Sequence, residues 1–598
     1  MLLKFLITKV KTTKPHIFLN VNVLLHAIKL RSFRINLSIN FEAISIFLFC
    51  FNFLRGTGNF NNPLSLLILK LVVIKKSKNN VMKRIIYLLF TLFLPLTQNG
   101  QNLEIKWGQE FSKKGIRLVD QKMIGHTHQF YYVLNRQKKE KELFQYNFDH
   151  KLIKVTPVVF KYEGQKIGIK QIINTASNNF LIGSSENKNK KLADIHISKL
   201  NKNGSVDKGM KHLFSYDFER NDFLFADYNR KRDAIGISIS QDSSKVLFAY
   251  VNSSREGINN VGNEIYQLVV FDDEMNKLWE KEVEFPYAEK QVTVKQFEIT
   301  DSGEVYILAK VKGKKKAKEP LHQSGYYFFK VTQEGETQTT KINLEDVFPT
   351  QAFFQNLKNG DIYVGGFYSK KNKKRNQNND GVFLVKYNQN LETKKESIYP
   401  WKEEFLDQLK KKYDFSIGEN FFNNLSIDNV IIDYSSQSIT FVSERRYSKS
   451  VKKQNLEHTT WTYHYSNSLV IPSFSFDGSL RWVSYVKKDF KIRDKETASC
   501  SYVLGYKDGN IYLIFNDNKT FKETKAMKIK RKNWTANFTE IVRINNEGET
   551  ELKELFLTSK DIGGLFLRPK FSNFIHHDKF LLQCTSNKKS RFGIFTLP

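Results

Sequence analysis

From Ile105 to the C-terminus the chain alternates two kinds of hairpin. One kind is a short strand, a tight turn and a strongly apolar strand, as in residues 299–308 (ITDSGEVYIL), 357–365 (LKNGDIYVG) and 506–514 (YKDGNIYLI), with weaker copies starting at Asn174, Ile239, Ile432 and His576. The other runs from an alternating strand through a turn into a more polar strand, as in YFFKVTQEGETQTTKI from Tyr327, FLVKYNQNLETKKESI from Phe383 and EIVRINNEGETELKEL from Glu540. Period-two alternation with aromatic and β-branched residues predicts strands. Asp-Gly, Asn-Gly and Glu-Gly supply the positive backbone dihedral that tight hairpin turns require.

One hairpin of each kind makes a unit of about 60 to 75 residues with four strands, a to d, which is the anatomy of a propeller blade. First hairpins, including a weak one near Gly125, count eight, whereas second hairpins count seven. The final unit stops after a third strand at residues 591–597, and an unassigned strand, residues 103–111, precedes the first unit. Joining that strand to the last blade closes the ring and removes an open sheet edge. The expectation is an all-β chain forming a β-propeller of eight four-stranded blades, with seven as the alternative, closed by the N-terminal strand. Only residues 402–413 read as helix, because Phe405, Leu409 and Tyr413 recur at helical spacing.

Four stretches carry a likeness: TYHYSNSLVIPSFSFDGSLRW (462–482), SYVLGYKDGNIYLIFNDN (501–518), FLRPKFS (566–572) and KKSRFGIF (588–595). They resemble signatures of an uncharacterised family of exported, signal-peptide-bearing, propeller-like proteins of Bacteroidota bacteria. The resemblance implies an exported propeller and brings no catalytic or ligand-binding residue with it. Pro472 departs from the pattern: a proline inside a strand cannot donate to the ladder, so that strand is expected to bulge or to begin later.

Residues 1–81 hold twelve Lys and Arg and a single acid, Glu42, around two short apolar runs. Neither run approaches the ~20 residues of a membrane-spanning helix. Met82, Lys83 and Arg84 then precede an apolar stretch, 85–96, and a polar segment, 97–101, in the order of a secretory signal peptide. Residues 82–100 are therefore read as the signal peptide, residues 1–81 as a mis-called upstream extension, disordered or not translated, and residues 101–598 as a single propeller domain. A membrane-associating leader is the other reading of the first segment. The mature protein, starting near Gln101, is expected in the periplasm, on the outer-membrane surface or outside the cell.

The chain carries 94 Lys and Arg against 61 Asp and Glu, and from residue 101 onward 80 against 60, a net charge of +20. Heavy use of Lys, Asn, Ile and Phe is what AT-rich coding produces, so basicity alone decides little. Its distribution decides more. In a propeller the b–c connections leave one face, and the a–b and c–d turns leave the other. The b–c connections are basic in seven of eight blades: Lys138 and Lys139; Lys190 and Lys191; Lys314, Lys315 and Lys316; Lys371, Lys374 and Arg375; Arg445, Arg446, Lys452 and Lys453; Lys528, Lys530 and Arg531; Lys589 and Arg591. Residues 252–263 of the third blade break the rule. The opposite turns carry Asp149, Asp272, Asp273, Asp301, Glu334, Asp361, Asp477, Asp508 and Glu547. A ring of lysine-rich tips suits a polyanion or an anionic membrane surface, or else keeps an exported protein soluble.

Catalytic candidates are few. His126 and His128, two apart on a strand, could furnish half a metal site, and His576-His577 falls in a turn. Asn516-Asp517-Asn518 resembles the opening of a calcium loop, but no suitably placed Glu closes it. Glu298 and Asp433 are the notable acids on inner strands, in separate blades, and do not make a general acid/base pair. No nucleophile elbow, phosphate-binding glycine loop, HExxH or CxxC occurs. Cys500 and Cys584 could pair after export or remain buried thiols. The reading is a monomeric, non-catalytic binding scaffold that needs no cofactor. Anionic glycans, lipid headgroups or an envelope protein are the partner classes the charge fits, and a polysaccharide hydrolase or lyase is the alternative. Nucleic acid is excluded by the exported compartment and by basic loops that lack interleaved aromatics.

Overall fold

The computed structural model describes residues 104–597 except 113–120, 136–140, 159, 188–189, 202, 208, 218–220, 223–232, 253–262, 289–290, 314–323, 371–378, 414–421, 453–459, 494–496, 521–534, 558–563 and 587–588. The segments read as an upstream extension, 1–81, and a signal peptide, 82–100, lie outside those residues.

Seven sheets each contain four strands consecutive in sequence, paired antiparallel, and an eighth joins the first described strands, from Ile105, to the last. The fold is an eight-bladed β-propeller, as the count of half-repeats implies. The fourth blade shows how sequence becomes sheet: Val292–Ile299, Val305–Val311, Gly325–Val331 and Thr337–Lys341 run from the innermost strand outward. The second and third strands, VYILAKV and GYYFFKV, are apolar on both faces because each blade lies between two others. Leu247, Leu268 and Phe285 of the third blade thus share a core with Ile307 and Phe329 of the fourth, whereas Tyr306 and Phe328 face Phe354 of the fifth. Each such side chain contributes roughly 1.5–3 kcal/mol on burial. The fourth strand is only half covered, and its sequence, TQTTK, is correspondingly polar.

The turns follow their residues. Lys507 pairs with Asn510 across Asp508 and Gly509, whose φ angles of 49° and 75° make a two-residue turn of the kind Asp-Gly favours. Pro472 lies in the third strand of the sixth blade, Thr460–Ser475, which is continuous through it: the ladder with the second strand skips from Thr440–Ser473 to Ser443–Val470 without changing register, Pro472 pairs with Val483 of the fourth strand, and the register with that strand shifts only beside it, between Ser473 and Phe474. Helix α1, Glu403–Tyr413, falls between the fifth and sixth blades. It docks through buried Leu409, with Phe405 and Leu406 beside it, on Trp401 and Phe422.

The eighth blade is closed by the N-terminal strand. Ile105, Lys106 and Trp107 pair with Phe595, Ile594 and Gly593 of the strand Lys589–Thr596, and Phe111 and Ser112 pair with Ser590 and Lys589. A Cβ on Gly593 would lie 2.8 Å from both Ile105 and Trp107, so glycine lets the closing strand seat. Buried Gln583 ties this blade to the first, its Nε2 donating to Gln121 O at 2.8 Å and its Oε1 accepting from the Met123 amide at 3.1 Å. Removing residues 103–112 from a protein begun at residue 101 leaves Lys589–Thr596 as an unpaired edge. The expected result is aggregation on size-exclusion chromatography and a lower melting temperature; a monomer with unchanged melting would show that closure is dispensable.

Candidate functional site

Within every blade the second and third strands are joined on one face, opposite the a–b and c–d turns. Of the basic residues expected there, Lys190 and Lys191 are exposed at the tip of the second blade, where the Lys190 amide donates to Asn187 Oδ1 at 3.1 Å. Lys452 ends the strand Ser438–Lys452, opposite Thr460. Lys138, Lys139, Lys314, Lys315, Lys316, Lys371, Lys374, Arg375, Lys453, Lys528, Lys530 and Arg531 lie outside the described residues.

The other four basic residues are engaged within the chain, because they sit in the ladders rather than at the tips. Arg445 donates through Nε to Asn423 O at 3.2 Å and stacks 5.1 Å from the Tyr447 ring. Arg446 forms an ion pair with Asp428 and lies 3.6 Å from Glu444. Lys589 meets Glu110 at 2.8 Å, and Arg591 lies over the Trp107 ring at 5.3 Å while its Nε donates to Gly108 O at 3.0 Å. Lys589 and Arg591 thus fasten the closing strand.

On the opposite face the carboxylates shape turns. Asp272 Oδ1 accepts from the amides of Glu274 and Asn276 at 3.0 and 2.7 Å, and Asp477 Oδ1 accepts from the Ser479 amide at 2.8 Å. Asp361 pairs with Lys386 and Lys394 at 2.7 and 3.0 Å. Side chains of this kind cap their own turns locally.

A buried charged network in the sixth blade has no signature in the sequence. Lys488 Nζ, fully buried, pairs with Glu444 and donates to Ser466 Oγ at 2.7 Å and Ser501 O at 2.8 Å. Ser466 Oγ donates in turn to Glu444 Oε1 at 2.7 Å. Burial pushes the Asp428 carboxyl up to about 6, although Arg446 opposes the shift. A serine between a lysine and a glutamate has the composition of a nucleophile and its base, but Ser466, Glu444 and Lys488 are all buried to 2% exposure or less. The adjoining cavity, lined by Arg446 and His464, measures only about 10 Å³ and has no wall from Ser466. The network holds strands together.

The remaining candidates resolve individually. His128 and His576 lie with ring centroids 6.0 Å apart at the seam between the first and eighth blades. Burial first, then neighbouring His576 and His128, holds His126 below its usual value. No group of three metal-ligating side chains occurs among the described residues. Asn516, Asp517 and Asn518 form part of the strand Asn510–Thr520, not a loop: Asn516 donates to Ser499 O and Leu567 O, both at 2.9 Å. Although burial opposes ionisation, the hydroxyls of Ser435 and Ser436 hold Asp433 down to about 2, and burial pushes Glu298 up to about 8. The cavity that Glu298 lines does not include Asp433. Cys500 and Cys584 are both buried free thiols. No described helix is long and apolar enough to cross a membrane.

No protein-family description and no curated protein matches the chain. Among solved structures it is similar to the β-propeller domain of the Trilobed protease from Pyrococcus furiosus, with a TM-score of 0.32 and 11% identity over 76% of this chain and 98% of that one. An uncharacterized protein from Listeria monocytogenes matches with a TM-score of 0.32 and 9% identity over 71% of this chain and 93% of that one. A prolyl endopeptidase matches with a TM-score of 0.30 and 8% identity over 71% of this chain, which spans 55% of that enzyme's length. The fold assignment stands on the strand pairing itself.

Two expectations follow from the buried groups. Lys488→Met strands the Glu444 charge and is expected to lower stability by about 3–5 kcal/mol, whereas combining it with Glu444→Gln restores much of the loss; denaturant melts of the singles and the double measure this. His196, fully buried against Ser185, is held down to about 4 by burial. The unfolded chain therefore binds more protons below the ordinary histidine value of ~6.5, and folded stability falls as pH drops from there toward 4. The melting temperature is expected to decline across that window, by the equivalent of about 2–3 kcal/mol, and His196→Gln should flatten the decline.

Proposed function

We propose that this chain is an exported, non-catalytic propeller that acts as an interaction platform at the cell envelope and holds an anionic polysaccharide on its lysine-rich b–c face. The observation that supports this is the division of charge by connection class: the b–c connections of the first, second, fourth, fifth and seventh blades are basic, while the opposite turns carry carboxylates. Coding bias raises the lysine content of a whole chain and does not sort it by loop. The resemblance to exported Bacteroidota proteins supports the compartment.

Exposed charges are screened beyond ~8 Å at physiological salt, and single exposed pairs contribute only ~0–1 kcal/mol. Affinity must come from several blades engaging one polymer at once, so that each later contact forms at high effective concentration. The ring serves this by placing on one face the strand ends from which the connections of several blades leave.

Protein begun at residue 101 is expected to be retained on immobilised polygalacturonate and released by about 0.5 M NaCl, where screening shortens to ~4 Å. Replacing Lys371, Lys374 and Arg375 together with Lys528, Lys530 and Arg531 by Ser should abolish retention without changing the melting temperature. Soluble oligosaccharide in the eluate would point to a polysaccharide hydrolase or lyase instead, and retention only on anionic vesicles would transfer the site to lipid headgroups. N-terminal sequencing of the natural protein is expected to begin near Gln101.

A further inference from the structure

Three lysines gather where the two inner strands of the fourth blade, Val292–Ile299 and Val305–Val311, approach the b–c connection. Lys310 lies opposite Thr293 in their ladder. Lys312 continues that ladder by one residue, its amide donating to Gln291 O at 2.7 Å and its carbonyl accepting from Gln291 Nε2 at 3.2 Å. Lys295 is the extra residue of a bulge, because the register slips between Val294 and Gln296. Residues directly opposed, and residues two apart on one strand, share a face of a sheet, which puts Thr293, Lys310 and Lys312 together.

Their partners are too few. Lys310 Nζ donates to Thr350 O of the fifth blade at 3.1 Å and lies 5.0 Å from the centre of the Tyr326 ring, which fixes its position and leaves two of its three N–H bonds unused. Neither Lys295 Nζ nor Lys312 Nζ has an acceptor or a carboxylate partner among the described residues. Lys312 is exposed, and so is Lys295, although it belongs to the innermost strand of its blade. Elsewhere, lysines withdrawn from water are matched: Lys330 with Glu304, Lys386 with Asp361 and Lys488 with Glu444.

The three are crowded by protein and by one another. Lys295 reaches water, but the protein around it restricts its hydration and, with the charge of Lys312, lowers it below the ordinary lysine value. Burial first, then Lys295 and Lys312, brings Lys310 down to about 8. No carboxylate counters either shift. Like charges held together in this way oppose folding until an anion joins them. The donors restrict which anion that is. An ammonium is a compact point charge and lacks the planar fork with which arginine grips a carboxylate in two parallel bonds. Three ammoniums suit three oxygens of a tetrahedral group, and two negative charges offset more of their repulsion than one. Thr293 adds an exposed hydroxyl beside Lys310.

We infer that Lys295, Lys310 and Lys312 hold a tetrahedral dianion, a phosphate or sulfate group that is free or carried as a monoester, with Thr293 as a further donor. Gln291 holds the Lys312 backbone and Thr350 holds the Lys310 ammonium, so two of the three cations are positioned before the anion arrives. The inference does not rest on polysaccharide binding: none of the three lysines is among the residues replaced in the polygalacturonate test, and a single anion needs no polymer.

The test titrates protein begun at residue 101 with inorganic phosphate, sulfate, glucose 6-phosphate and glucuronate by calorimetry, at neutral pH and low ionic strength in a buffer free of other oxyanions. At least one of the three dianions is expected to bind about tenfold more tightly than glucuronate, the difference made by one further charged hydrogen bond. Glucose 6-phosphate binding more tightly than inorganic phosphate would assign the group to a sugar ester, and the reverse order to the free ion. Lys295→Met and Lys312→Met should each weaken binding about tenfold, equivalent to about 1.4 kcal/mol. Because each removes repulsion, neither should lower the melting temperature, and either one decides the matter where the other fails to fold. Lys154→Met, on the outer strand of the first blade, should leave binding unchanged. Absence of binding by all three dianions, glucuronate binding as tightly as they do, indifference to both lysine variants in folded protein, or an equal loss from Lys154→Met would each overturn the inference.

Discussion

The ring depends on the pairing of its first strand with its last. The last blade has the four strands of the others only when its third strand is covered, and here the fourth comes from the start of the domain, with Trp107 opposite Gly593. The contact is more than a ladder. Lys106 meets Asp149 at 2.6 Å, and the His150 ring bonds to Lys106 O at 2.8 Å, so the closing strand also touches the first blade. Buried Gln583 and Ser590 bond to Gln121 across the same seam. With the seam shut, each apolar sheet face is covered by a neighbour, which is why strands such as VYILAKV tolerate hydrophobic residues on both sides.

Charged groups then divide into three populations with different physics. Lys190 and Lys191, exposed at their connection, experience water and salt, where a single charge contributes little. Carboxylates in the opposite turns either hold the backbone of their own turn, as Asp272 and Asp477 do, or pair across the sheet, as Asp361 does with Lys386 and Lys394. Glu444, Lys488, Arg446 and Asp428 are withdrawn from water, so each depends on its partner and the set behaves as one unit. Asn356 belongs to none of these: its carboxamide is buried and has no hydrogen-bond partner within the protein.

Much of the fold was legible because repetition is a one-dimensional signal. The odd count of half-repeats disclosed the eighth blade, whereas the bulge expected at Pro472 falls beside it, between Ser473 and Phe474, and leaves Pro472 paired with Val483. Helix α1 begins one residue later than the spacing of Phe405, Leu409 and Tyr413 implies. The candidate sites were far less legible. Arg446 and Arg591 read as loop cations, yet the strands extend past the repeat and carry them into ladders, where Asp428 and Trp107 receive them. Asn516-Asp517-Asn518 read as a loop for the same reason and is strand. Nothing around Lys488 or His196 marks them, since burial comes from neighbours distant in the chain.

Local patterning by itself determined the strands, the turns, the number of blades and which connections carry lysine, because hydrophobic alternation and turn chemistry act over a few residues. Tertiary structure alone decided which charges are withdrawn from water, that Cys500 and Cys584 stay apart as free thiols, and that Lys310 of the fourth blade reaches Thr350 of the fifth. Those outcomes turn on dielectric environment and hydrogen-bond partnership, which are properties of neighbours in space, and adjoining blades must be in place before such neighbours exist.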